Sequence, residues 1–314
     1  MSILAGIEAG GTKFVCGVGT DKGEIIEKVR IETHTAAETM PMVCQFLIEM
    51  DAKYGLDAIG IGCFGPIEPD PLSDQYGHIT TTTKPGWQNF DMVSCVRQAV
   101  DVPIGFDTDV NAAALGEYYW GNACNLTDFL YLTVGTGIGG GGMVNGQLVH
   151  GSMHPEMGHI MVPIDRQKDH FAGNCAYHGQ CLEGMAAGPA IKERWQVDSA
   201  LDLPPDHVAW QLEAEYLAYA LTNFILVLSP QRIIMGGGVM KQSQLFPIIR
   251  DKTRQYLAGY IKNSSIDNID QYIVPPGLKS DAGLAGSLAL AKQAALALSN
   301  NTWTDGSVSS TFSG

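Results

Sequence analysis

The chain has 314 residues, 45% of them hydrophobic and 17% charged, enough to bury two lobes of ordinary size. Nineteen basic against 33 acidic side chains leave a net charge of −14, a field that repels phosphate backbones and argues against a nucleic-acid binder. No run of about 18 apolar residues is present, so no membrane span is expected, and MSILAGIEAGGTK at the start lacks the basic stretch and apolar core of a secretory leader.

In chain order, residues 3–8, 13–19 and 25–32 read as strands separated by glycine-rich turns. Residues 38–53 show helical spacing through Met42, Phe46, Leu47 and Met50. LDAIGIG (56–62) reads as a buried strand, VPIGFDTD (102–109) as another that ends in two aspartates, and the stretch after Asn111 as a helix. FLYLTVGTGIGGGGMVNGQLV (129–149) then repeats strand, glycine turn, strand. The two turns, AGGT and GTGIGGG, lie about 125 residues apart, which points to two similarly built lobes. These are expected over 1–118, with a helix near 283–298 packing back on the first, and over 119–282, with a metal-capable stretch at 154–184. Val208, Leu212, Leu217, Leu221, Phe224, Ile225 and Leu228 space a core helix over 208–228. PQRIIMGGGVM (230–240) reads as a strand running through three glycines into a helix N-terminus, and the polar tail 299–314 as disordered.

The seven cysteines are Cys16, Cys44, Cys63, Cys95, Cys124, Cys175 and Cys181. An odd number, mostly scattered, suits a reducing compartment and predicts a cytoplasmic protein.

Three glycine turns each follow an apolar strand: Gly10-Gly11-Thr12-Lys13, Gly135-Thr136-Gly137 and Gly236-Gly237-Gly238. Glycine lets the backbone approach a bulky anion, and exposed N–H groups bind phosphate oxygens. Each alone is a common hairpin, and none has the Walker A or GxGxxG spacing. Together, with Thr12 and Thr136 as hydroxyl donors, they point to a split nucleotide site. In DTDVNAAALGE (107–117) two readings are open. Asp107 or Asp109 caps the following helix, or one of them is a general base with Asn111 orienting a hydroxyl substrate. His159, Cys175, His178 and Cys181 bring four N/S donors and no carboxylate, the donor set of a closed structural zinc site. Glu156 and Glu183 would be held beside that metal.

These motifs, in this order over about 1–298, resemble the ROK family of repressors and sugar kinases: GIEAGGTK, DTDVNAAALGE, GTGIGGG, HPEMGH and the cysteine stretch 175–183. The resemblance implies an α/β, two-lobed, actin-like (ribonuclease H-like) ATPase fold and ATP-dependent phosphorylation of a hexose. It makes Asp109 the general base and puts Gly65, Pro66, Asn111, Glu156, His159 and Glu183 at the sugar, with His159 also a zinc ligand. Gly10, Gly11, Thr12, Lys13, Gly135, Thr136 and Gly137 would cradle the phosphates, bridged by magnesium. Gly236, Gly237, Gly238, Val239 and Met240, with Gly188 and Pro189, would line the adenosine pocket.

Two departures, Glu8 in place of the family's aspartate and His178 in place of a cysteine, resemble the branch of the family that phosphorylates fructose; glucose and mannose are the alternative substrates. Glu8 keeps a carboxyl beside magnesium-bound water. A repressor would need a helix-turn-helix segment ahead of Ile3, and −14 is the wrong charge for DNA. A catalytically silent sugar-binding protein is the other rival. The expected partners are a sugar and ATP, with no nucleic acid and no membrane; a homodimer stays open, because nothing in the sequence fixes the oligomeric state.

Overall fold

The structure is a computed structural model that describes residues 1–299. The expected tail lies outside these residues, except Ser299, which closes the last helix. The chain forms two compact units. The first holds 1–116, Gly151–His154 and the chain from Asp281 onward; the second holds Glu117–His150 and Pro155–Ser280. The sequence suggests cuts near 118 and 282; the chain also returns to the first unit at Gly151–His154.

In the first unit, β1 (Ile3–Ala9), β2 (Lys13–Thr20), β3 (Ile25–Glu32), β4 (Ala58–Cys63) and β5 (Ile104–Thr108) form one sheet in the order β3-β2-β1-β4-β5. The first three strands are antiparallel neighbours, and β4 and β5 run parallel to β1. Helices α1 (Ala36–Tyr54) and α2 (Met92–Ala99) supply the crossovers that parallel strands require. Helix α1 begins in a capping box between Thr35 and Glu38. Its buried face is Ala36, Met40, Val43, Leu47 and Met50, with Thr39. Leu47 and Met50 of the expected stripe are buried and Phe46 packs partly against the core, but Met42 is 45% exposed and Val43 takes the inward place beside it. Helix α2 carries no strong sequence signal and was not anticipated.

A C-terminal helix, Ala282–Ser299, lies on β1, β4 and β5. The contact is backbone to backbone. A Cβ on Gly60 would overlap the Ser287 carbonyl, and one on Gly105 would stand 2.5 Å from the Leu290 carbonyl. Ser287 Oγ, wholly buried, lies 2.9 Å from the Ile7 carbonyl.

The second unit repeats the plan. Its strands β6 (Phe129–Val134), β7 (Ile138–Val144), β8 (Gln147–Leu148), β9 (Arg232–Gly236) and β10 (Ile273–Val274) are ordered β8-β7-β6-β9-β10. Again the first three are antiparallel and the last two parallel to the first. Strand for strand this is the order of the first sheet, so the repeat hinted at by the two glycine turns is real. Helix α3 (Asp109–Trp120) contains the 116/117 boundary. Helices α4 (Leu182–Ala186), α5 (Gly188–Trp195), α6 (Ala209–Leu228) and α7 (Leu245–Leu257) complete the core with Leu130, Met185, Trp210, Phe224 and Ile249. Val208, expected inside the α6 stripe, is 61% exposed because α6 starts one residue later. After Gly236–Gly238 the chain makes one 3₁₀ turn, Val239–Lys241, rather than the expected longer helix. Among the described residues no helix is long and apolar enough to cross a membrane.

Candidate active site

In the first unit, the turn after β1 is closed by Gly10 N–H donating to the Lys13 carbonyl at 3.0 Å. Thr33 straps it: its hydroxyl donates to the Gly10 carbonyl at 2.8 Å and its N–H to the Thr12 carbonyl at 3.1 Å. Thr12 and Lys13 are exposed at its rim. Two residues earlier sits Glu8, whose carboxyl burial raises above the ordinary range, against the lowering effect of Lys13.

The strand end at DTDVN resolves the capping question. Helix α3 starts at Asp109, two residues earlier than expected, and its cap is Thr108: the Asn111 N–H donates to Thr108 Oγ1 at 3.1 Å. Asp107 is buried and accepts from the Thr108 N–H at 2.7 Å and from Asn111 Nδ2 at 2.9 Å. Asn111, expected against the sugar, is itself wholly buried. Asp109 is half-exposed at the first helical position, beside the ends of β4 and β5.

Gly65 and Pro66 follow β4 in a half-buried turn. The Pro66 carbonyl accepts from the Thr80 N–H at 2.8 Å, and the Ile67 N–H donates to His154 Nε2 at 3.0 Å. His154, buried, was not singled out in the sequence. Its only signal was its place at the head of HPEMGH. Lys84, in TTTKPGW, was also passed over; its stem lies over Gly11.

In the second unit the remaining glycine segments converge. Gly135 N–H donates to the Gly137 carbonyl at 2.8 Å, Gly188 N–H donates to the Gly135 carbonyl at 2.7 Å, and a Cβ on Gly135 would lie 3.7 Å from Gly238 N. Thr136 is exposed at the tip. Pro189 sits in the first turn of α5, where a missing N–H does no harm. Gly237 has φ +95, and a Cβ there would overlap the Val134 carbonyl, so only glycine fits. Gly236, Val239 and Met240 are buried, the last two at 3% and 6%, leaving Gly238 as the exposed member of that segment.

Glu183 ties this turn to the metal-capable loop. Its carboxylate accepts from the Ile138 N–H at 2.9 Å, and a Cβ on Gly137 would come within 2.6 Å of it. Burial first, and then the Glu183 charge, push the Glu156 carboxyl up to about 7.

His159, Cys175, His178 and Cys181 do come together, with ligand atoms all within 4.8 Å of one another. His159 Nδ1 lies 3.5 Å from Cys181 Sγ and 3.7 Å from Cys175 Sγ, and His178 Nδ1 lies 3.7 Å from Cys175 Sγ. A tetrahedral ion bound at about 2.05 Å to nitrogen and about 2.3 Å to sulfur sets those edges at about 3.6 Å, so the donor set fits zinc in type and spacing. The Cys175–Gly179 turn is pinned by paired backbone bonds of 3.2 and 2.9 Å, and Asn174 N–H donates to the Gly184 carbonyl at 3.1 Å. His159 points its other nitrogen, Nε2, toward Glu156 Oε2 at 4.0 Å.

Two sheets of one strand order, each with a glycine turn between its first strands, define a protein of the actin-like ATPase class. The chain belongs to the ROK family, whose sequence profile matches residues 4–294. A provisionally named fructokinase of Bacillus subtilis (strain 168) is 47% identical over 293 residues, 93% of this chain and 96% of its own. The fructokinase of Pediococcus pentosaceus is 43% identical over 293 residues, 93% of this chain and 98% of its own. The crystal structure of a ROK hexokinase from Thermus thermophilus superposes with a TM-score of 0.74 at 26% identity, covering 95% of this chain and 99% of the other.

Proposed function

We propose that this protein is an ATP-dependent fructokinase that makes fructose 6-phosphate. The kinase reading is carried by one observation: Glu183 binds the backbone of the second glycine turn while standing two residues from the metal-capable Cys181, so one carboxylate joins a phosphate-type turn to a sugar-type loop. The choice of fructose rests on the relatives at 47% and 43% identity.

In this reading Asp109 takes the proton from the primary hydroxyl of the sugar as its oxygen attacks the γ-phosphorus of ATP. Half-exposure at the head of α3 supports Asp109 for this role, and the occupied carboxylate of Asp107 makes that residue the support. Asn111 orders Asp107 rather than meeting the substrate. Glu156 and Glu183 hold sugar hydroxyls, with His159 and the Gly65-Pro66 turn, and Thr12 and Thr136 donate to phosphate oxygens. Gly188, Pro189 and Gly238 offer backbone to the nucleoside. Magnesium, arriving with ATP, would neutralise phosphate charge, and Glu8 is the buried carboxyl that suits its neighbourhood. Zinc would be held by His159, Cys175, His178 and Cys181 as a closed, structural ion. His159 then aligns Glu156 through Nε2 while Nδ1 faces the metal, the arrangement by which an outer carboxylate orients a ligating histidine.

The test is ATP-dependent phosphorylation across fructose, glucose and mannose. The expected result is a kcat/KM for fructose above the others by roughly 10-fold or more. Equal or greater kcat/KM for glucose or mannose would make the protein a gluco- or mannokinase, and no turnover of any hexose would leave a non-catalytic binder.

A further inference from the structure

Lys84 lies in the loop between β4 and α2, in the stretch TTTKPGW. Its backbone is fixed at both ends: the Lys84 N–H donates to Thr82 Oγ1 at 3.3 Å, and the Trp87 N–H donates to the Lys84 carbonyl at 3.3 Å. Trp87 is a wholly buried anchor, stacked on Phe14 at 5.4 Å and donating from Nε1 to the His34 carbonyl at 2.6 Å. From this fixed base the lysine stem reaches over the first glycine turn. A Cβ on Gly11 would be 3.1 Å from Lys84 Cε and 3.8 Å from Nζ. The ammonium also stands 5.9 Å from the ring centre of Phe64, the residue before Gly65. Lys84 thus lies between the turn that resembles a phosphate loop and the turn assigned to the sugar.

The charge there has no counter-ion. Lys28, Lys53, Lys168 and Lys252 each meet a carboxylate, but among the described residues none lies within ion-pair distance of Lys84. Burial holds its ammonium below the ordinary lysine range, and no acidic neighbour opposes that effect. In a chain with 33 acidic side chains, a half-buried, unpaired lysine is a place left for an anion.

We propose that Lys84 binds the transferring γ-phosphoryl group, a further residue of the transfer step that rests on the kinase reading. As the sugar oxygen bonds to phosphorus, the bond to the ADP oxygen breaks and ADP keeps the electron pair, while the hydroxyl proton passes to Asp109. Negative charge is spread over the three equatorial oxygens in transit, and an ammonium fixed beside the turn stabilises it. A side chain at Gly11 would crowd the lysine stem, at 3.1 Å from Cε.

The experiment uses the full chain with Lys84→Met, which keeps the stem, and Lys84→Arg, which keeps the charge. The Met variant should lose roughly 10²–10³-fold in kcat, while fructose binding, followed by calorimetry, changes by less than about 3-fold and Arg recovers part of the loss. Affinity for the ATP analogue AMPPNP should fall in the Met variant while affinity for AMP holds. A Met variant with near-normal kcat and AMPPNP affinity overturns the assignment, as does one that loses fructose and AMP binding equally. If the unaltered protein phosphorylates no hexose, the kinase reading fails by itself, and the AMPPNP-against-AMP comparison still decides whether Lys84 holds a terminal phosphate.

Discussion

At equivalent points in their strand order the two units differ most. Between β3 and β4 the first unit has residues 33–57, little more than α1. Between β8 and β9 the second has residues 149–231, which carry Glu156, the four metal-capable side chains, Glu183 and helices α4–α6. The same two-strand crossover is a packing helix in one copy and a recognition loop in the other. In the proposed reading the first unit offers Asp109 and the Gly10 turn at strand ends, and Gly65, Pro66 and Lys84 from the loop between β4 and α2. Fold is repeated, and function lives in what is grafted onto it.

The largest effect should come from the strand-end side. Asp109→Asn keeps shape but removes the proton acceptor, and kcat should fall by roughly 10²–10⁴-fold with fructose binding preserved. Near-normal turnover would move the role to Asp107 or dismiss it. On the loop side, the purified protein should contain about one zinc per chain by elemental analysis. Cys175→Ala should lose it and raise KM for fructose by roughly 10-fold or more, with a smaller change for ATP. Equal effects on both substrates would mean that the loop supports the whole protein and not the sugar.

How much of this was legible follows from where each signal lives. The four metal-capable donors could be read because three fall within seven residues and the fourth in a nearby turn. Strands could be read from β-rich runs between glycines, and the duplicated sheet from its two turns. On α1, Leu47 and Met50 were legible, but the bulkier Met42 masked its neighbour Val43 as the inward residue. Spacing also could not show that the Asn111 amide donates to Asp107. Lys84 and His154 were invisible for a related reason: each acts on a segment distant in sequence, Gly11 and Ile67.

Stability separates the units further. Gly60→Ala in the first sheet should cost about 3 kcal/mol or more in denaturant unfolding, since the added methyl meets the Ser287 carbonyl. Gly146→Ala in the second has φ +74 but nothing within 4 Å, so its cost is conformational, about 1 kcal/mol. Comparable losses would deny that the first sheet is packed at its limit.

The smallest effect concerns Glu213 on α6, buried at 1% exposure with neither carboxyl oxygen hydrogen-bonded. Burial holds its pKa well above the ordinary 4.5, so the folded chain keeps a proton that the unfolded chain releases. Stability therefore falls as pH rises above 4.5 toward the folded value, and is unaffected by this group below it. Glu213→Gln should match the parent near pH 4.5 and become progressively more stable than it as pH rises toward 8. A gain independent of pH would show that the folded carboxyl is already ionised across this range.

The glycine seam under the C-terminal helix also sets an order of assembly. Strands β1 and β4 emerge from the ribosome early, but the helix that seals their Gly60 side is made last, after the whole second unit. A nascent chain halted before Asp281 therefore leaves one face of its first sheet uncovered, while the second unit is already synthesised.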